Sequence, residues 1–298
     1  MAIRASSAEP NQLTELEKKA GWKLLFDGKT ATGWRGYQQT AMPAKGWKVE
    51  DGILKKIGGE RGGDIITQET FDNFDLLWEW RISPAGNNGI KYFVTEDRPC
   101  APGHEYQMID DAKNPDAKVG PHRATGSFYD VLPPADDKPL RPAGEWNQSR
   151  VLIQGNHVEH WLNGKKVLAY ELGSDAVTRA VARSKFKNTP GFGEKIRGHI
   201  MLTDHHDECW FRNIKIQELI GPIAVTGTVQ HPGQYYVSRP ATIQKALDLA
   251  GLGEFAGRGT EIVRAGGGVE HVSYKALRSP KSDIPLYPGD KIIVRSWE

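Results

Sequence analysis

Residues 157–172 read HVEHWLNGKKVLAYEL, and this stretch decides the fold class. Asn163-Gly164 separates two alternating runs. An Asn-Gly pair accepts the two positive φ angles of a tight hairpin turn, so it is the strongest short hairpin signal a sequence offers. The period of two recurs upstream in DLLWEWRIS (75–83), where Leu76, Trp78, Trp80 and Ile82 alternate with Leu77, Glu79 and Arg81. GHIMLT (198–203) and CWFRNIKIQEL (209–219) supply two more strands, joined by DHHDE. Many short strands, Gly- and Pro-rich turns and almost no helix predict a mainly β chain, a β-sandwich or jelly roll, up to Leu219. The exception is NQLTELEKKA (11–20), a short helix with Thr14 as its cap and Gly21 past its end. Residues 1–11 are read as a disordered lead-in.

The character changes after Leu219. A strand, a His231-Pro232-Gly233 turn and a second strand lead into the helix TIQKALDLAG (242–251). Ile243, Ala246, Leu247 and Ala250 follow helical spacing there, and Gly251 ends it. EIVRAGGGVEHVSY (261–274) reads as a hairpin around three glycines, and YPGDKIIV (287–294) as a turn into a last strand. Residues 221–298 therefore form a small separate α+β domain.

The chain has 298 residues, a length suited to two domains, and its net charge of +2 gives no polybasic nucleic-acid surface. No stretch has the length of an apolar transmembrane helix. Its two cysteines, Cys100 and Cys209, allow one disulfide and form no CxxC motif. The opening residues contain no apolar signal-peptide core. Nine tryptophans are many for this length, and aromatic rings serve both as core and as sugar platforms.

GHEYQMIDD (103–111) is the polar anomaly among the strands. Alternation puts Glu105 and Gln107 on one face with Ile109, and Tyr106 and Met108 on the other, with Asp110 beyond them. The polar face is either solvated or one wall of a ligand groove.

The motifs GWKLLFDGKTATGWRGY, GWKVEDGIL, NNGIKYF, GHEYQMIDD, ATGSFYD, PAGEWNQSRVLIQGNHVEHWLNG and GHIMLTDHHDECWFRNIKI occur in one order between residues 21 and 216. In that order they resemble the 3-keto-disaccharide hydrolase domain family, over residues 12–219. The resemblance implies a concanavalin-like jelly roll and activity on glycosides already oxidised to a ketone at C3. Two departures stand out. The family's NSG reads Asn87-Asn88-Gly89 here, and its LQDHG reads Leu202-Thr203-Asp204-His205-His206; both are expected to border the groove. The second domain, through VTGTVQHPGQYYV, ATIQKALDLAG and IPLYPGDKIIV, resembles the SLBB family of β-grasp modules. That likeness implies a soluble ligand such as a polysaccharide, and with the carbohydrate theme it implies a periplasmic or secreted enzyme whose leader is absent from this chain.

A C3 ketone acidifies the C2 hydrogen. A base that removes it allows the C1 substituent to leave by β-elimination, and hydration of the unsaturated sugar completes a net hydrolysis. Such chemistry needs a base, a stabiliser for the enolate oxygen and an acid at the leaving oxygen. Glu105 is the first candidate for the base, with Asp204 and His205 as further catalytic candidates, an imidazole titrating near neutrality. Substrate-contact candidates are Lys91, Gln107, Arg123, Tyr129, Asn87 and Trp34. A divalent metal ion would have Glu105, Asp204, His205 and Asp110 to draw on, and would stabilise an enolate as a Lewis acid. His104 is read as a surface-loop residue, Trp146 as core and Arg212 as half of an ion pair. His157 and His160 fall on opposite faces and make a poor metal pair.

Two other classes stay open on the same fold: a lectin-like binding protein without turnover, and an ordinary glycoside hydrolase. The latter needs two carboxyls about 5–5.5 Å apart, and no closely spaced acidic strand motif supplies them.

Overall fold

The Asn163-Gly164 turn closes the hairpin that its chemistry demands, with φ of 46° and 83° at its two residues. The computed structural model describes residues 9–98, 103–253, 256–277 and 284–296. Among these, the chain divides into two compact units: one of residues up to Lys18 with Trp22–Ile216, and one of Lys19–Gly21 with residues from Gln217 onward.

The strands of the first unit are, in chain order, β1 (Trp22–Leu24), β2 (Trp34–Gly36), β3 (Trp47–Glu50), β4 (Ile53–Lys56) and β5 (Ile65–Thr67). There follow β6 (Phe74–Ile82), β7 (Asn87–Val94), β8 (His104–Ile109), β9 (Asn147–Gln154), β10 (His157–Leu162), β11 (Lys165–Glu171), β12 (His199–Leu202) and the start of β13 (Cys209–Gly227). One sheet runs β11-β10-β9-β6-β13-β4-β3, with β1 also on β13; the other runs β2-β5-β12-β7-β8. Their inner faces share one aromatic-rich core, so the mainly β jelly-roll sandwich expected from the alternation is what forms. Strand β6 shows why: Phe74, Leu76, Trp78, Trp80 and Ile82 all enter that core. Burying side chains of this size contributes about 1.5–3 kcal/mol each. The buried indole N–H groups are satisfied, Trp78 by Met108 Sδ at 3.3 Å and Trp80 by Ser149 Oγ at 2.9 Å.

The helix α1 (Glu15–Ala20) begins in a capping box, Glu17 N–H donating to Thr14 Oγ1 and Thr14 N–H to Glu17 Oε2. Of the lead-in, residues 1–8 lie outside the described residues. Asn11 departs from the expected disorder: it is buried, and its side chain donates to Gly52 O at 2.8 Å and accepts from Asn213 N–H.

The second unit orders its strands β14 (Gly233–Ser238), the end of β13, β17 (Lys291–Ser296), β15 (Ala256–Val263) and β16 (Val269–Val272). The β13–β17 pair is parallel and the others antiparallel. Helix α3 (Ile243–Ala250) is capped by Thr242, ends at Gly251 with φ 65°, and buries the four predicted residues in an aliphatic core.

Candidate functional site: the outer face of β8

Strand β8 is covered on both faces, so neither is the solvated side that an ordinary half-buried strand shows. Tyr106 and Met108 enter the aromatic core. Glu105 and Gln107 point the other way, onto the outer face of the five-stranded sheet. Register sets their neighbours: Lys91 of β7 is opposite Glu105, and Gly89 is opposite Gln107. On the other flank Tyr129 N–H donates to Glu105 O at 3.0 Å and Gly126 N–H to Gln107 O at 2.9 Å, which pairs Tyr129 with Glu105 and Ser127 with Gln107. Paired residues share a face. The result is a polar patch of Lys91, Glu105, Gln107, Ser127 and Tyr129.

A bulge makes the patch possible. Phe93 has φ 58°, and the β7–β12 register slips beside it. The extra residue lets Tyr92 and Phe93 both enter the core while Lys91 faces out. Lys91 therefore does not share its face with Phe93, although a strict period of two would put residues 91 and 93 on the same side.

The carboxylate of Glu105 leans over Gly89. A Cβ on that glycine would lie 2.1 Å from Glu105 Oε1, so only glycine leaves room for it. Oε2 pairs with the Lys91 ammonium at 3.9 Å. Oε1, Gln107 Oε1 and Ser127 Oγ are buried and have no hydrogen-bond partner among the described residues. Gln107 spends its amide on Asn87 Oδ1 at 3.2 Å. An unsatisfied buried acceptor costs about 1–3 kcal/mol, and three on one patch make it the candidate ligand site.

One wall of the patch is a charged network. The Tyr129 hydroxyl donates to Asp116 at 2.7 Å, and Arg123 bridges Asp116 and Asp130 at 2.6 Å each. Burial alone would raise the Asp116 carboxyl, but Tyr129 and Arg123 outweigh it and hold it below the usual range. Burial and the neighbouring Asp116 push the Tyr129 phenol up, so it stays protonated and donates. Arg123 is thus a brace for Tyr129, with Nε committed to Asp130 and Nη1 to Asp116. Lys185 completes the wall, its ammonium 4.1 Å from the Tyr129 ring centroid.

The Asp204 loop is built differently. Asp204 Oδ1 pairs with Lys56 at 3.0 Å, both side chains almost wholly covered, and Oδ2 accepts from Gly62 and Gly63 N–H at 2.8 Å each. Burial raises its pKa, but Lys56 and three backbone donors prevail and hold it low. Its acceptor capacity is spent on pinning the 57–64 turn. Asp207 accepts from Asn87 N–H and Glu208 pairs with Lys55, while His205 is exposed. Asp110 caps a turn, accepting from Ala85 and Ala112 N–H. The four candidate metal donors are thus dispersed, and among the described residues no three His, Cys, Asp or Glu side chains converge as ligands. The donor set does not fit a metal ion.

Comparison with known proteins follows the same first unit. Residues 21–217 match the family model of the 3-keto-alpha-glucoside-1,2-lyase-like domain. The chain belongs to that family. A 3-keto-disaccharide hydrolase of Bacteroides thetaiotaomicron is 37% identical over 233 positions, spanning 67% of this chain and 79% of that one. A Parabacteroides distasonis structure, provisionally described as a glycosyl hydrolase, is 37% identical with a TM-score of 0.64, covering 71% of this chain and 100% of that one. A second from the same organism is 26% identical with a TM-score of 0.54, covering 66% and 99%.

Two of the positions that depart from the family pattern, Asn88 and Thr203, prove to be neighbours. Asn88 Nδ2 donates to Thr203 O at 2.9 Å, and Thr203 Oγ1 donates to Gly89 O at 3.2 Å. Both residues are buried, and Thr203 bonds the carbonyl of Gly89, the glycine that Glu105 overhangs. Several expectations change. Trp34 is a core residue, its indole N–H on Leu25 O at 2.6 Å, and offers no sugar platform. His104 is no surface residue: it is fully buried among the rings of Tyr92, Phe93, Phe128 and Phe192, and burial first, then Arg98 and His160, drive its pKa down to about 3. Trp146 is half-buried, stacked by Arg212 at 4.2 Å rather than packed in the core. Arg212 pairs with Glu79 at 2.7 Å, as read from the sequence. Cys209 is a buried free thiol, and Cys100 lies outside the described residues. Lys185 and Ser127 were missed because no local pattern marks a lone lysine in ARSKF or a serine in ATGSF.

Proposed function

We propose that the outer face of β8 binds a glycoside carrying a C3 ketone and cleaves it by elimination and hydration, with Glu105 as the base at C2. Family membership supports an enzyme of glycosidic bonds. The observation that carries the finer reading is the Glu105 carboxylate, held over Gly89 with one oxygen buried and unpartnered. A carboxylate bound only to a lysine nearly 4 Å away keeps a lone pair for a proton. Gln107 Oε1 and Ser127 Oγ are placed to accept and donate to sugar hydroxyls, and Lys91 to donate to the enolate oxygen. No step is routed through a metal ion.

The test is release of aglycone from a 3-keto-glucoside and from the unoxidised glucoside by the wild type and by Glu105→Gln. Cleavage of the keto sugar alone, reduced about 10²–10⁴-fold in the variant, is expected. Binding of the keto sugar without release would overturn the reading in favour of a lectin-like protein. A chelator added to the wild type is expected to change nothing.

For the second unit we propose a ligand-binding module of the β-grasp kind, supported by its strand order and its packed helix α3. Affinity electrophoresis in polysaccharide gels, comparing the full chain with one ending at Ile216, tests it; equal retardation would remove the proposal.

A further inference from the structure

In an elimination from a 3-keto sugar the base works at C2, which lies between C1 and C3. Two donors must therefore flank the base, one for the enolate oxygen on C3 and one for the oxygen leaving C1. The patch holds two ammonium groups around Glu105. Lys91 is the nearer, ion-paired across the strands at 3.9 Å. We propose, resting on the function given above, that Lys185 is the second: the general acid that protonates the leaving oxygen.

Lys185 is placed and yet uncommitted. Its backbone N–H donates to Asp130 Oδ2 at 2.7 Å, and Arg123 holds Asp130 at 2.6 Å, so the residue is anchored to the same network that orients Tyr129. Its ammonium rests on the Tyr129 ring at 4.1 Å and near the Phe186 ring at 5.1 Å. Among the described residues that ammonium has no hydrogen-bond or ion-pair partner, so the rings hold the cation while its three N–H donors stay free. The charges that act on it are Glu105, Lys91, Asp130 and Arg123. The residue as a whole is exposed, but its ammonium lies against the patch, and the partial burial there, the largest influence, lowers its pKa from the ordinary lysine value, the direction that favours proton donation.

The proton accounting closes. Glu105 takes the C2 proton, and the C–H electron pair forms the enolate of the C3 ketone. The enolate collapses to a C1=C2 double bond, the C3 carbonyl re-forms, and the C1–O bond breaks with its electron pair going to oxygen. Lys185 gives that oxygen a proton and becomes a neutral amine. In hydration the amine takes a proton from the water that adds at C1, and Glu105 returns its proton to C2. Both groups end as they began.

Leaving-group dependence tests the assignment, because a nitrophenolate departs without a proton and an alkoxide does not. Lys185→Met is expected to slow release of methanol from methyl 3-keto-glucoside about 10²–10⁴-fold. It should leave 4-nitrophenol release from the nitrophenyl analogue within about threefold, as expected when no proton is needed. Exchange of the C2 hydrogen in D₂O, followed by NMR, should persist in Lys185→Met and vanish in Glu105→Gln. Lys185→Arg keeps the charge and the ring contact but not the acidity, and should show the same selective loss even if the methionine variant folds poorly. Equal losses on both aglycones, no loss on either, or loss of C2 exchange in the lysine variants would overturn the role. A wild type showing neither exchange nor release would instead defeat the elimination reading, a separate result.

Discussion

The outer face of β8 and the 204–208 loop both gather the residue types that acid–base chemistry uses, and they differ in what those residues have left to give. Asp204 meets Lys56 and two glycine amides with its two oxygens. Glu105 meets one lysine at 3.9 Å and has an oxygen with no described partner. A satisfied buried carboxylate stabilises a fold; an unsatisfied one costs stability and is kept where a ligand completes it. Residue type marked both places, and partner count separates them.

The largest effect expected comes from acid, acting on the inner face of β8 and its neighbour. His104 and His160 are buried and neutral, with pKa values lowered to about 3 and about 4, chiefly by burial. An unfolded chain would bind these protons near pH 6.5, so the native state is penalised once the pH falls below that value. Each histidine should remove about 1.4 kcal/mol of stability per pH unit, until the pH reaches its own folded value. Urea midpoints at pH 7 and pH 4.5 check this, and His104→Phe should flatten the curve by one histidine's share; an unchanged curve would count against the burial of His104.

Asp204→Asn comes next. Removing the charge leaves Lys56 buried and unpaired, which should cost about 3–5 kcal/mol in denaturant unfolding. Turnover per folded molecule should stay near wild type, because the residue holds a turn. A variant of full stability and no activity would reverse the comparison between the two places.

Gly89→Ala sharpens it from the other side. The backbone there does not need a positive φ, so the fold should hold while the added methyl moves the Glu105 carboxylate. A fall in turnover of about 10- to 100-fold with little change in melting temperature is expected, since a misplacement of about 1 Å can cost that much. The smallest effect belongs to His205→Ala: an exposed side chain, changed within about 0.5 kcal/mol in stability, with turnover unaltered.

Much of this was legible in the chain because it is local. The period of two in DLLWEWRIS, the Asn163-Gly164 turn and the Thr14 cap act over a few residues, and each formed as read. Alternation also put Glu105 and Gln107 on one face. It failed at Phe93, where one residue in a left-handed conformation shifts the phase, a choice made by the core that needs both Tyr92 and Phe93. Tertiary structure alone decided which acids are free. Asp204 is satisfied by glycines more than 140 residues earlier in the chain. Asn88 and Thr203, 115 positions apart, proved to be bonded neighbours. Lys185 reaches Tyr129 from a loop beyond α2 (Asp175–Val181). A sequence fixes backbone periodicity through short-range sterics, but whether a polar atom is satisfied depends on which distant atoms packing brings within 3 Å of it.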